Sequence, residues 1–414
     1  YYIMPFRGQS EDNFRRMHGL AYSHGAKIIN HFHTEAQVLT TWDYVDLTES
    51  PRTYQAIHDM IRRTGAVEDR LFPAMPRKAK VALMLSWASD TWDTADLGGA
   101  GHLYGAKYNV NNDERKSLWL ALRHAGYPVD CVTDRDVAGG RLADYEVLYI
   151  VGSEMLREAA EPLKKWVREG GIVYATGGCG LLDEYHRPLE TLHELYGIEG
   201  HDLDRRTRHI RPRRTLPRAE PLDTLNLGTE EGDLPLPALL YRETFEIAEG
   251  ARTLGTYAKD GAVGAVVNEY GNGRAYAIGA LAGIGYVTPA MPPSSQVLPT
   301  SFPAEIRRAI TRPVREAEVV PPVRTSDPLV EAQYMTGEEG DIVILTNWRQ
   351  DPVEDLVVSF PGEEEVKSVR SLRAAGYFQG ALGEKGTGQL KLNAQPGPPR
   401  VTLPLHTIDF LLVD

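Results

Sequence analysis

ADYEVLYIVGSEMLREAAEPLKKWVREGGIVYATGGCG, residues 143–180, decides the fold. Residues 146–151 (EVLYIV) are a short apolar run rich in β-branched and aromatic side chains, bounded by Asp144 and by Gly152 with Ser153, which predicts a buried strand. The run is too short for a helix. Residues 154–169 then place Leu156, Ala160, Leu163, Trp166 and Val167 at spacings that put them on one helical face, with Lys164, Lys165 and Arg168 in the last turns, where cations suit the negative end of the dipole. Gly170 and Gly171 end the helix, and residues 172–176 (IVYAT) predict a second buried strand. Two apolar strands joined through a helix make a right-handed parallel crossover, the repeating unit of a doubly wound sheet.

At 414 residues the chain exceeds one ordinary domain, so two or three are expected. The formal net charge of -12 argues against nucleic acid as a partner, because such proteins need a basic face to displace phosphate counterions. One basic cluster, residues 205–218 (RRTRHIRPRRTLPR), reads either as a solvated or interdomain loop or as an anion site. Cys131 and Cys179 are too few for a disulfide framework and too far apart for a zinc knuckle, which favours a cytoplasmic location. No apolar run reaches the roughly 18 residues that span a bilayer, and no signal peptide opens the sequence, so no membrane partner is expected. The first residues, YYIMPFRG, lie inside a strand-like run and carry no initial Met, and read as part of a fragment or processed product.

Around the crossover the chain divides in three. Residues 1–72 alternate strand and helix: a strand at 1–5, a helix at 10–23 with Ser10 as N-cap, a strand at 26–32, a loop, and a helix at 50–64. This is a (β/α) repeat far shorter than the roughly 250 residues of a full barrel, and it predicts a barrel's C-terminal end. Residues 73–80 (PAMPRKAK) read as a linker, and 79–316 as the doubly wound α/β domain. There GGAGHLYG (98–105) lacks the Lys and Ser or Thr of a phosphate loop and reads as a plain loop, while Gly271, Asn272 and Gly273 mark a hairpin. A helix at 303–311 closes the domain and 318–328 forms a second linker. Residues 328–414 contain only strands separated by turn residues, as in a small β-sandwich.

Two places carry candidate chemistry. Cys179 follows the crossover's second strand amid glycines, where class I glutamine amidotransferases keep a thiol nucleophile near a helix N-terminus; its other reading is a small buried residue, since no downstream His-x-Glu closes the domain. His31, His33 and Glu35 alternate along a strand into its loop, so all three could face the C-terminal mouth of a barrel as a sugar-binding or catalytic rim. Two imidazoles and a carboxylate could also ligate a metal, and structural hydrogen bonding is the third reading; no metal and no cofactor is expected. Trp42 and Trp348 could stack on sugar faces or fill core.

The order of barrel end, flavodoxin-like module and β-sandwich resembles the glycoside hydrolase family 42 β-galactosidases. The residues that carry the resemblance are RRMHGLAYSHGAKIINHFH (15–33), KVALMLSWASDTWD (80–93), GGIVYATGGCGLLDEY (170–185) and VVNEYGNGRAYAIG (266–279). It implies a carbohydrate substrate, retaining hydrolysis by a carboxylic acid and a carboxylate about 5 Å apart, a non-catalytic amidotransferase-like middle domain, and a homo-oligomer, a trimer by family analogy. It also implies that both glutamates lie on barrel strands before Tyr1. His31, His33, Glu35 and Trp42 fall on the substrate-binding rim, where Thr34 stands at a position the family fills with tryptophan.

Overall fold

The crossover forms as the sequence predicts. Val147–Val151 and Ile172–Thr176 run parallel, from Val147 opposite Ile172 to Val151 opposite Thr176. The computed structural model describes residues 2–3, 10–31, 51–95, 109–206, 212–292, 297–363, 365–372, 388–393 and 397–414. Between the two strands, Arg157–Ala159 is a single 3-10 turn and Ala160–Arg168 is the α-helix, shorter than the predicted 154–169. The difference has a local cause: Ser153 and Glu154 are buried at the strand end, where Glu154 bridges to Leu182.

Five parallel strands lie in the order Val129–Thr133, Val81–Leu85, Val147–Val151, Ile172–Thr176 and Gly273–Ile278. Four antiparallel strands extend the sheet: Val263–Tyr270, Arg252–Tyr257, Asp223–Thr229 and Gly232–Ala238. Neighbouring residues of one strand enter opposite cores, Val147, Tyr149 and Val151 on one face and Leu148 and Ile150 on the other. Such double-sided burial is why the parallel strands read as unbroken apolar runs. The predicted hairpin is present, with Tyr270 opposite Gly273. Of its two loop residues only Gly271 has a positive φ, 64°, which matches a turn that needs glycine at its first loop position. These elements belong to one compact unit, Ala79–Val319.

Tyr1–Lys78 and Val320–Asp414 together form the second compact unit, where the sequence predicts two separate domains. The six-stranded sheet explains the grouping. Its order is Gly388–Gln389, Val369–Ser371, Ile408–Val413, Asp341–Asn347, Val330–Thr336 and Met75–Pro76. On one face Val343, Leu345, Leu411 and Val413 pack with Leu356, Val358, Val401 and Leu403 of the three-stranded sheet Arg324–Thr325, Val353–Ser359 and Arg400–Leu405. On the other, Ile342, Ile344, Ile408, Phe410 and Leu412 pack with Met60 of the helix Pro51–Ala66 and with Val67, Leu71 and Ala74. Residues 73–80 are therefore not merely a linker: Met75–Pro76 extends the sheet edge against Met335 and Thr336, a position where proline's missing N–H is tolerated.

Tyr2–Ile3 and Asn30–His31 pair in parallel on either side of the helix Glu11–Ser23, whose N-cap Ser10 accepts from the Asn13 N–H at 3.2 Å. This is one strand–helix–strand step of the kind a barrel repeats, and among the described residues no closed barrel forms. The strand predicted at 26–32 is confined to Asn30–His31 within the described residues.

Because both faces of Ile408–Val413 are buried, Phe410→Ala and Leu411→Ala are each expected to destabilise this unit by about 3 kcal/mol or more. Urea unfolding of the two variants checks this. A sheet open to solvent on one face would leave one of the two nearly silent.

Candidate functional site

His31 ends the second short parallel strand and meets His18 of the preceding helix, their Nε2 atoms 2.9 Å apart. The other ring nitrogen of His18, Nδ1, lies 2.9 Å from the Phe14 carbonyl oxygen. A carbonyl only accepts, so Nδ1 of His18 carries the proton, and Nε2 of the neutral ring accepts from Nε2–H of His31. The neutral form is set by burial, which pushes His18 down to about 4, with His31 beside it a smaller cause. Burial lowers His31 as well. Phe14 stacks on His31 with ring centroids 5.7 Å apart. The chain thus fixes one tautomer of His31 and leaves its Nδ1 as an acceptor. His33, Glu35 and Trp42 lie outside the described residues. Trp348 is held by a bond from its Nε1 to Glu331 Oε2 at 3.2 Å.

Cys179 lies in a tight loop after Ile172–Thr176, itself at φ 52° and flanked by Gly177, Gly178 and Gly180, all at positive φ. A side chain on Gly178 would meet Ser153 Oγ at 2.3 Å, so glycine is obligatory there. This backbone resembles a nucleophile elbow, but the side-chain chemistry is different. Cys179 is fully buried, and its thiol donates to Glu243 Oε2 at 3.7 Å. Burial, then the Glu243 charge, push the thiol well above its usual range. Glu243, also fully buried, accepts from the Gly178 N–H at 3.1 Å and from His201 Nδ1 at 2.9 Å. That bond raises the His201 pKa. A thiol nucleophile needs the imidazole beside sulfur and the carboxylate behind it; here the carboxylate stands between them.

A third polar cluster occupies the topological switch point, where the chain leaves Val81–Leu85 for neighbours on opposite sides, a common ligand crevice in such sheets. Here buried side chains of the chain itself bond to one another across the strand ends. Ser86 and Ser89 both donate to the Glu154 carbonyl at 2.8 Å. The Glu154 carboxylate accepts from Ser89 at 3.2 Å and from His186 Nδ1 at 2.9 Å, with Arg205 Nη1 at 3.8 Å. Gly152 is required, since a Cβ there would sit 2.2 Å from Ser89 Oγ. Asp93, buried, accepts from the Asn111 N–H at 3.0 Å. Burial raises it to about 6 against that hydrogen bond and the Arg205 charge.

The structure therefore separates the residues singled out in the sequence: His31 and Cys179 belong to different units. Sequence reading missed His18, Glu243, His201, Asp93 and Glu154. The usable signal was weak: Glu243 is a charged residue at an inward position of an alternating strand, Tyr241–Ile247. Arg205, read as part of a loop or anion site, ends the strand Ile198–Arg205 and faces a carboxylate of its own chain. Among the described residues no group of acidic, histidine or cysteine side chains could hold a metal ion, and no helix is long and apolar enough to cross a membrane.

No family model and no curated protein matches this sequence. Solved structures do, and they define the class of fold: it is that of glycoside hydrolase family 42 β-galactosidases, over about half of their length. A β-galactosidase from Bacillus circulans sp. alkalophilus superposes with a TM-score of 0.70 at 17% identity, covering 100% of this chain and 55% of the other. A catalytic mutant of the family 42 β-galactosidase from G. stearothermophilus gives 0.65 at 18%, covering 98% and 51%. The enzyme of the haloarchaeon Halorubrum lacusprofundi gives 0.63 at 15%, covering 100% and 53%.

Two outcomes follow from the geometry. In the native protein iodoacetamide is expected to modify exposed Cys131 and spare Cys179, which reacts only after unfolding, as read by peptide mass. Because folding raises the Asp93 pKa, its contribution to stability is present below about pH 4 and lost as pH rises through about 6, on the order of 3 kcal/mol. Asp93→Asn is expected to flatten that part of the curve of unfolding free energy against pH.

Proposed function

We infer that this chain is the C-terminal part of a carbohydrate-active glycoside hydrolase. Its activity is hydrolysis of a β-linked, galactoside-like sugar by a retaining mechanism. The observation that carries the reading is the match of nearly the whole chain, across both compact units, to about half of each of several family 42 β-galactosidases. In this reading Tyr2–Ile3, Glu11–Ser23 and Asn30–His31 are the last steps of the catalytic barrel. The unit Ala79–Val319 is amidotransferase-like and serves assembly into a homo-oligomer, a trimer by analogy. The strands from 328 onward form a β-sandwich.

The chemistry requires one carboxylic acid to protonate the glycosidic oxygen and a carboxylate about 5 Å away to attack the anomeric carbon. Both are assigned to barrel strands preceding this segment. The role left to this chain at the reacting sugar is positioning. His31, with its tautomer fixed by His18, offers Nδ1 to a substrate hydroxyl, and the family resemblance assigns His33, Glu35 and Trp42 to substrate binding as well. Nothing in the Cys179 environment favours the competing thiol hydrolase, because its sulfur faces a buried carboxylate.

The 414-residue chain alone is expected to release no nitrophenol from an aryl β-galactoside, whereas the same chain preceded by its upstream coding sequence is expected to turn over. Turnover by the short chain, abolished by Glu35→Gln, would defeat the assignment of the carboxylates. In the longer protein His31→Ala is expected to raise KM about fivefold with a smaller change in kcat, the loss of one neutral hydrogen bond to bound sugar.

A further inference from the structure

The unit of Tyr1–Lys78 and Val320–Asp414 carries a charged row that none of the roles above uses. In its three-stranded sheet Arg324 stands opposite Ser359, and Ser359 stands opposite Arg400. Residues opposite one another on antiparallel strands share a face of the sheet. Here it is the outer face, because the sequence neighbours Val323, Val358 and Val401 are buried in the core while Arg324 and Arg400 are exposed. Adjacent strands lie about 4.8 Å apart, so the two arginines leave the sheet about 10 Å apart, with one small side chain between them.

The row lines a groove of about 290 Å3, together with Ser326, Val357 and Pro398, and among the described residues no carboxylate lines it. In a chain with 57 acidic and 45 basic residues this is the anomaly. Elsewhere in the same unit Arg349 pairs with Asp327 at 2.7 Å and Arg370 with Asp414 at 3.2 Å. The Arg324 guanidinium has neither an ion pair nor a hydrogen bond among the described residues. Arg400 donates to a neutral group, the side-chain oxygen of Asn393, from Nε at 2.6 Å and Nη2 at 3.2 Å, which leaves Nη1 to face a ligand. Ser326 accepts from the Val357 N–H at 3.1 Å and keeps its own O–H to donate. Ser359 donates to the Arg324 carbonyl at 3.3 Å, and its small side chain keeps the space between the guanidinium groups open.

We propose that this groove binds an acidic saccharide, with a sulfate ester or carboxylate of the sugar held between Arg324 and Arg400 and the ring against Val357 and Pro398. Guanidinium groups present planar paired donors that match such oxyanions, and Ser326 adds a hydroxyl donor beside them. Nucleic acid fits less well, because the lining has no aromatic side chain on which a base could stack and the chain's net charge is -12. The anion follows from the arginines; that a sugar carries it rests on the hydrolase reading above.

Titration calorimetry of the 414-residue chain tests this with a sulfated galactan tetrasaccharide, a galacturonate tetrasaccharide, a neutral galactan tetrasaccharide, inorganic sulfate and a single-stranded oligothymidylate. At least one acidic tetrasaccharide is expected to bind with a Kd of about 1 mM at about 0.05 M salt and to weaken several-fold at about 0.5 M. Arg324→Gln and Arg400→Gln are each expected to weaken that binding about fivefold, and Ser359→Glu, which sets a carboxylate between the arginines, to abolish it. Arg218→Gln removes the same charge from an exposed position of the other unit and is expected to leave the affinity unchanged. Arg324 and Arg400 are exposed, so their variants are expected to keep the parent Tm. No binding of either acidic tetrasaccharide, equal binding of the neutral one, inorganic sulfate bound as tightly, the oligothymidylate bound more tightly, or an equal loss in Arg218→Gln would each overturn the proposal. None of these readouts uses turnover, so a failure here is distinct from a failure of the hydrolase assignment.

Discussion

Burial of strands on both faces is the constraint on which the rest depends. In Val147–Val151 and Ile172–Thr176 every side chain is buried, alternate residues filling cores on opposite sides of the sheet. Each apolar side chain removed from water contributes roughly 1.5–3 kcal/mol, but only while helices cover both faces. The strands therefore force a crossover architecture and leave their carboxyl ends as the place where the chain must turn in the open. The polar residues gather there: Ser86, Ser89 and Asp93 after one strand, Gly152 to Glu154 after the next, Gly177 to Gly180 after the third.

At those ends, two buried carboxylates set the chemistry. Glu154 and Glu243 each accept from a histidine, His186 and His201, at 2.9 Å, which offsets the cost of removing charge from water. Each also satisfies a neighbour, Ser89 Oγ in one case and the Gly178 N–H in the other. Glu243 thereby holds the strained loop around Cys179 while keeping its thiol protonated. A loop shaped like a catalytic elbow has become a structural joint.

The crossover, the hairpin at Gly271 and the helix behind Ser10 were legible because each rests on local rules: apolar runs, turn glycines and an N-cap. The grouping of the N-terminal segment with the C-terminal strands was not read, though a trace of it lies in the sequence. IDFLLV and DIVILTN have no alternation, and in an antiparallel sheet that lack signals two covered faces. What could not be read is which distant segment does the covering, since Met60, Val67 and Leu71 look like any amphipathic face. The site was less legible still. His31 was found from its place after a strand, but His18, Glu243 and Asp93 act through partners remote in sequence, and a lone polar residue does not announce them.

The unit built from Tyr1–Lys78 and Val320–Asp414 draws its six-stranded sheet from the C-terminal segment, with only the edge strand Met75–Pro76 from the N-terminal one, and the other unit is encoded between. During synthesis, the helix Pro51–Ala66 leaves the ribosome long before Ile408–Val413, the strand that buries Met60. Ala79–Val319 holds every strand of its own sheet and can complete itself in the interval. The early helices must wait, their apolar faces exposed, for the last strands to arrive. The hazard is therefore kinetic and falls on the helix Pro51–Ala66 and the residues just after it, which wait through the synthesis of the whole intervening unit without the surface they are shaped to cover.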